Sequence, residues 1–295
     1  MEGPIHPSAP GTDRPTMAEP TRRDFLKGAA ALTLAAGAVP ALAQAASEGP
    51  RAERVTFALP GLDPRHDGLR VAQLSDIHVG DRTPAERIRA AVALANAFDP
   101  DLVVLTGDFL SRDRSGVPLV REQVAGLSAP TVAVLGNHDH RVDPGGATRA
   151  LRSLGYTVLR NQHTQLRLRG ARLSVVGVDD LLTRHADPAR ALAGVPAGSR
   201  LVLAHGPKTA DLLAGAGEPM LVLSGHTHGG QINLPGVTSF LLRTMADEPY
   251  DRGRFQVGKV QLYVNRGVGN SALRVRVNSD PEVTLLTLRV RDAAA

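Results

Sequence analysis

From Arg51 onward, short β-rich runs alternate with stretches of helical period, and apolar run after apolar run closes on polar residues. Residues 70–74, RVAQL, predict a strand whose end arrives at Ser75-Asp76-Ile77-His78. From Pro84 to Ala97 the period is helical: Ile88, Val92 and Ala95 share a face, and proline suits a first turn, where its missing N–H has no helical partner to lose. Residues 101–105 read as a buried strand running into Thr106-Gly107-Asp108, and 117–127 as a helix. A strand over 131–135 ends at Gly136-Asn137-His138-Asp139, and 146–154 is the next helix. In the second half, strands are expected over 173–178, over 200–204 leading to His205, and over 220–223 leading to Gly225-His226-Thr227-His228. Two more are expected over 260–264 and 283–290. No repeat or low-complexity linker separates the halves. The pattern therefore predicts one α/β domain over residues 44–295, with its polar clusters just past strand carboxyl ends, where ligands gather in open α/β sheets.

The first residues follow a different rule. Thr21-Arg22-Arg23-Asp24-Phe25-Leu26-Lys27 resembles the twin-arginine export motif, and a mildly apolar stretch from Gly28 to Ala43 follows it. That stretch ends in Ala41-Leu42-Ala43, small residues flanking a larger one, which predicts cleavage after Ala43. It is shorter than the roughly 20 residues a spanning helix needs and contains Gly37 and Pro40, so a retained anchor is the secondary reading. Residues 1–43 are thus expected to be an export signal, with Met17 the expected true start. The expected destination is the periplasm or the outer face of the envelope, reached through the twin-arginine translocase.

Composition narrows the chemistry. The chain of 295 residues has no cysteine, which excludes disulfides, thiolate metal ligands and a cysteine nucleophile. Aromatics are 3% and tryptophan is absent, a poor basis for stacking bases, so no stable nucleic-acid partner is expected. The formal charge of +5 reads first as a solvated, Arg-rich surface and second as attraction to anions.

Five clusters carry candidate metal donors: Asp76 with His78, Asp108, Asn137, His205, and His226 with His228. Asp76 and His78 stand two apart, so on an extended strand they face the same way. A carboxylate such as Asp108 has two oxygens and can bridge two cations, and the Asn137 amide oxygen binds a hard cation without adding charge. Any one of these reads more simply as a turn or cap. Independent turns do not, however, produce five such clusters in order, each closing an apolar strand.

In this order, Asp76-x-His78, Gly107-Asp108, Gly136-Asn137-His138-Asp139, His205 and Gly225-His226-x-His228 resemble the calcineurin-like metallophosphoesterase superfamily, over roughly residues 69–290. The run from Leu223 to Gln231, Arg266-Gly267-Val268-Gly269, and Arg276 with Pro281-Glu282-Val283 are similar to a bacterial branch of exported phosphodiesterases. The resemblance implies a two-sheet sandwich flanked by helices and two divalent metals, with Mn, Fe and Zn the leading candidates. It implies a first metal held by Asp76, His78, Asp108 and His228, and a second held by Asp108, Asn137, His205 and His226. A metal-bridging hydroxide would attack phosphorus, His138 would protonate the leaving group, and Asp139 would orient His138 or serve the turn. Arg141 and Arg266 are candidates for phosphate oxygens, although a plain surface role suits each. Two positions depart from the branch: Gly206-Pro207-Lys208 follows His205, and Arg274 stands where proline is common. The expected activity is a monomeric phosphodiesterase acting on an envelope phosphoester, such as a lipid headgroup or wall polymer. A phosphate-ligand binding protein without turnover and a nuclease are the alternatives. Between Ser239 and Tyr250 the chain forms either an apolar lip for a lipid or a segment packed on the core.

Overall fold

Alternation decides where each strand sits. Leu102 and Val104 point one way from their strand and Val103 and Leu105 the other, yet all four are fully buried. Such a strand must be covered on both faces. The computed structural model describes residues 49–271 and 273–291, and the export signal expected over residues 1–43, with its start at Met17, lies outside them.

In chain order the strands and helices are β1 (Arg51–Pro60), β2 (Leu69–Leu74), α1 (Ala85–Ala97), β3 (Leu102–Thr106), α2 (Gly116–Gln123), β4 (Thr131–Val134), α3 (Asn137–Val142) and α4 (Pro144–Ser153). Then come β5 (Thr157–Val158), β6 (Gln162–Leu168), β7 (Ala171–Gly177), α5 (Pro188–Leu192), β8 (Arg200–Leu203), α6 (Thr209–Ala214), β9 (Met220–Ser224), α7 (Val237–Met245), β10 (Gly253–Val257), β11 (Val260–Val264) and β12 (Glu282–Arg291). They form two six-stranded sheets, ordered β1-β12-β2-β3-β4-β5 and β10-β11-β9-β8-β7-β6. Both are mixed: β2 through β5 run parallel and β12 is antiparallel to β2, while β10 and β6 close the second sheet as antiparallel edges.

The sheets pack face to face through Val71, Leu102, Val104, Leu201, Leu203, Leu221 and Leu286. On the outer face of the first sheet, Ile88 and Ala91 of α1, Val120 of α2 and Leu151 of α4 meet Val103 and Leu105. Ala191 of α5 and Leu213 of α6 cover Val176 and Val202 on the second. The result is the helix-flanked two-sheet sandwich that the sequence led us to expect.

Most expected elements differ from the observed ones by only a residue or two. The helix expected over 117–127 stops at Gln123, because Gly126 turns into left-handed backbone at φ +88° and its carbonyl is taken by the Asn96 amide at 2.7 Å. Four strands absent from the expectation, β1, β5, β6 and β10, are edges: β5 is only two residues long, and exposed polar positions dilute the apolar signal of the other three.

Candidate metal centre

All the expected donors follow the carboxyl ends of β2, β3, β4, β8 and β9, Asn137 as the first residue of α3, so parallel neighbours deliver them to one end of the sandwich. The local conformation is not the extended strand the two-residue spacing suggested. Asp76, His78, Asp108, His226 and His228 all have positive φ, between 47° and 74°. Left-handed backbone is costly for residues with a Cβ, and such strain persists only where surrounding contacts over-determine it. Here the loops are tied to each other: Asp76 N–H donates to Gly107 O at 2.9 Å, and His78 N–H to Asp108 O at 3.0 Å. Glycine permits the close approach. A Cβ on Gly225 would overlap Ser75 and Asp76, and one on Gly136 would overlap Asp108.

Two groups of donors result. Asp76, His78 and His228 form one and Asp108, His205 and His226 the other, the donor atoms of each lying within 4.8 Å of one another. Asp108 faces both groups: its Oδ2 is 3.6 Å from His78 Nε2 and 3.3 Å from His205 Nε2. Asn137 joins the second group, its Oδ1 3.2 Å from His205 Nε2.

The donor set fits cations. His205 turns Nδ1 to Thr106 O at 2.8 Å and His78 turns Nδ1 to Leu110 O at 3.2 Å, which puts a proton on Nδ1 of each and aims Nε2 inward. Nε2 of His205 faces oxygens of Asp108 and Asn137, acceptors that hold a second proton there until a bound cation displaces it. His228 is different. Arg276 Nη2, which can only donate, lies 3.0 Å from its Nδ1, so the proton sits on Nε2, facing Asp76 Oδ1 at 3.3 Å, and a cation must displace it.

Burial pushes His78 down to about 3 and His226 down to about 4, so both imidazoles are neutral and ready to ligate at neutral pH. Burial also opposes protonation of His205, but the adjacent Asp108 carboxylate outweighs it and raises His205 to about 10. Asp76 and Asp108 are held well below the usual carboxylate range, burial opposing and the surrounding histidines prevailing.

His138 stands edge-on to His78, ring centroids 4.8 Å apart, and its Nδ1 contacts Ser111 O at 2.9 Å. Among the described residues that leaves Nε2 open. The orienting role expected of Asp139 therefore falls to the Ser111 carbonyl. The two Asp139 oxygens are instead occupied by backbone N–H groups: Asp108 at 3.0 Å, and Phe109, Leu110 and Gly136 each at 2.9 Å. Burial pushes this carboxyl up while the N–H groups of Gly136 and Leu110 pull it back. Asp139 is the clasp of the two loops.

The two candidate arginines differ in their surroundings. Arg266 Nε is 2.6 Å from Glu282 Oε2 and its Nη2 3.2 Å from Glu53 Oε2. Arg141 is exposed at the last turn of α3. Arg274, the departure from the branch, is 69% exposed and pairs with Asp81 at 3.2 Å.

Other residues near the site were not anticipated. Arg276 had been singled out only for its likeness to the branch, but it is a buried brace: beyond His228, it donates to Arg266 O at 2.8 Å and Ser279 O at 3.1 Å. Past β7, Asp179 holds His140 at 2.6 Å and Arg160 at 2.9 Å. Its neighbour Asp180 is buried, with Oδ2 accepting from Thr183 and Oδ1 without a partner among the described residues. The signal was there to read, because Val178-Asp179-Asp180 ends an apolar run as the donor clusters do.

Residues 69–230 match the sequence model of the calcineurin-like phosphoesterase family, and the chain belongs to that family. It is 34% identical over 240 residues to the uncharacterized metallophosphoesterase YkuE of Bacillus subtilis, covering 76% of this chain and 80% of the relative. To the phosphodiesterase YaeI of Escherichia coli it is 36% identical over 231 residues, covering 75% of this chain and 82% of the relative. It is 27% identical over 293 residues to the UDP-2,3-diacylglucosamine pyrophosphatase LpxG of Chlamydia trachomatis, covering 80% and 88%. The family is dinuclear-metal dependent, and the two donor groups are its two candidate positions here.

Proposed function

We propose that the protein is an exported phosphodiesterase acting on a phosphoester of the cell envelope. The observation that carries the hydrolytic reading is the pair of donor groups sharing Asp108, with His138 open beside them. Two divalent cations there, with Mn, Fe or Zn suited to a set of oxygen and imidazole donors, supply positive charge to phosphoryl oxygens and acidify water. Asp108, Asn137, His205 and His226 would hold the second cation, and Asp76, His78, Asp108 and His228 the first. His138, held at Nδ1 by Ser111, keeps Nε2 for the leaving oxygen. When that ring is protonated, Nε2–H delivers its proton as the phosphorus–oxygen bond breaks. Preference for a diester is supported by the likeness to YaeI, and a lipid-linked substrate by the likeness to LpxG.

The test loads the full chain with Mn and compares a chromogenic phosphodiester with the matching monoester. Diester turnover, lowered at least about 100-fold by Asp108→Asn, is the expected result. Faster monoester turnover would overturn the diester reading, and no turnover of either by protein holding two metals would favour a binding protein. Export is checked by intact mass: protein recovered outside the cytoplasm should begin at Gln44.

A further inference from the structure

Exposed apolar surface among the described residues is concentrated in one place. Most of the large hydrophobic side chains that face solvent, namely Leu234, Val237, Phe240, Leu241 and Met245, fall between positions 234 and 245. Four of them lie on α7 at spacings of three, four and eight from Val237, which puts them on one helical face. They are far from marginal, since Phe240 is 63% exposed and Met245 81%. Leu273, 52% exposed, adjoins the segment, because its carbonyl accepts from the Gln231 amide at 2.7 Å.

The other face of α7 is seated on the metal-binding loop. Thr238 is buried, and its methyl fills the space that a Cβ on Gly230 would need. Ser239 donates to the Asp251 carboxylate at 2.7 Å, and Thr227, between the two histidines, donates to the Asp251 carbonyl. The apolar face is therefore fixed relative to His226 and His228. At nine residues α7 is too short to cross a bilayer, and no described helix is long and apolar enough to do so.

Charge and chemistry together select the occupant. From Gln231 to Ala246 there is no carboxylate, the Asp247 that follows is paired with Lys208, Arg243 is exposed on the helix, and Arg274, paired with Asp81, flanks Leu273. An apolar face with basic neighbours suits the interface of an anionic bilayer, where acyl chains take the hydrophobic residues and headgroups the arginines. The neighbouring centre belongs to a phosphoesterase, and a bilayer offers phosphodiester headgroups at the depth where such a helix lies. We propose that α7 docks the protein on an anionic phospholipid surface and presents the metal centre to the headgroups, making membrane phosphodiesters the substrate class. This rests on the phosphodiesterase reading above.

The test uses the full chain, Mn-loaded, and the double variant Phe240→Asp with Met245→Asp, both solvent-facing positions. Vesicles of phosphatidylglycerol with phosphatidylcholine are compared with phosphatidylcholine alone. The unaltered protein should cosediment with the anionic vesicles and release headgroup from them. The variant should lose at least tenfold in both, with turnover of a small soluble diester unchanged. Equal vesicle binding by the two proteins, or none by either, overturns the docking. Binding without headgroup release overturns the substrate class and leaves the docking standing. Absent turnover of the soluble diester, with vesicle binding still lost in the variant, sinks the phosphodiesterase reading alone. Self-association in gel filtration that the variant abolishes, in protein that ignores vesicles, assigns the face to a second copy.

Discussion

Asp139 and His138 are neighbours with opposite tasks. Four backbone N–H groups end on the Asp139 carboxylate, and a buried donor left unpaired costs about 1–3 kcal/mol. Asp139→Ala is expected to lower the melting temperature steeply, by about 2–4 °C for each kcal/mol in a domain of this size. His138→Ala should leave melting nearly unchanged while turnover falls roughly 10²–10⁴-fold. Calorimetry beside steady-state kinetics separates them, and a stable Asp139→Ala protein with the kinetics of His138→Ala would return Asp139 to a catalytic role. The metal donors were legible because each closes an apolar run. The clasp was not, because three of its four partners are N–H groups of residues about thirty positions away, which sequence does not display. The pairing of Arg266 was hidden for the same reason: Glu53, which helps occupy its guanidinium, lies on β1.

At the scale of elements, the segment after α7 carries a pH-dependent strain. Glu248 is buried, its N–H donates to Leu242 O at 2.9 Å, and burial pushes its carboxyl up to about 7 from an ordinary 4.5. The folded state therefore holds a proton that the unfolded chain releases between pH 4.5 and 7, and stability from this group declines as pH rises through that window. Glu248→Gln should raise the melting temperature at pH 8 by about 2–4 °C, the effect of ~1 kcal/mol, and change nothing at pH 4. A gain of equal size at both pH values would show packing rather than ionisation to be responsible. The strands that were foreseen are those buried on both faces, such as β3 and β9. The edges β1, β6 and β10 escaped because most of their positions are exposed or only half-buried, and β5 because it is two residues long.

At the scale of the molecule, the donors divide between the sheets. Asp76, His78, Asp108 and Asn137 follow strands of the first, and His205, His226 and His228 follow strands of the second. Bound metal thus fastens one sheet to the other. A ligand at 100 times its Kd stabilises the folded state by about 2.7 kcal/mol, so chelation should lower the melting temperature of Mn-loaded protein by roughly 5–10 °C. A chelator without effect on melting, in protein that loses activity, would place the metal outside the fold's cooperative unit.

The position of β12 has a consequence for synthesis. This strand lies between β1 and β2, and among the described residues β1 has no other strand partner. A ribosome delivers β1 more than two hundred residues before the strand that must sit beside it. The first sheet stays unclosed until translation has passed residue 291, and the nascent chain waits with its opening strand unpaired. Completion of the fold is in this sense a checkpoint: a prematurely terminated product lacks the strand that seats β1, and quality control can recognise it by that exposed edge.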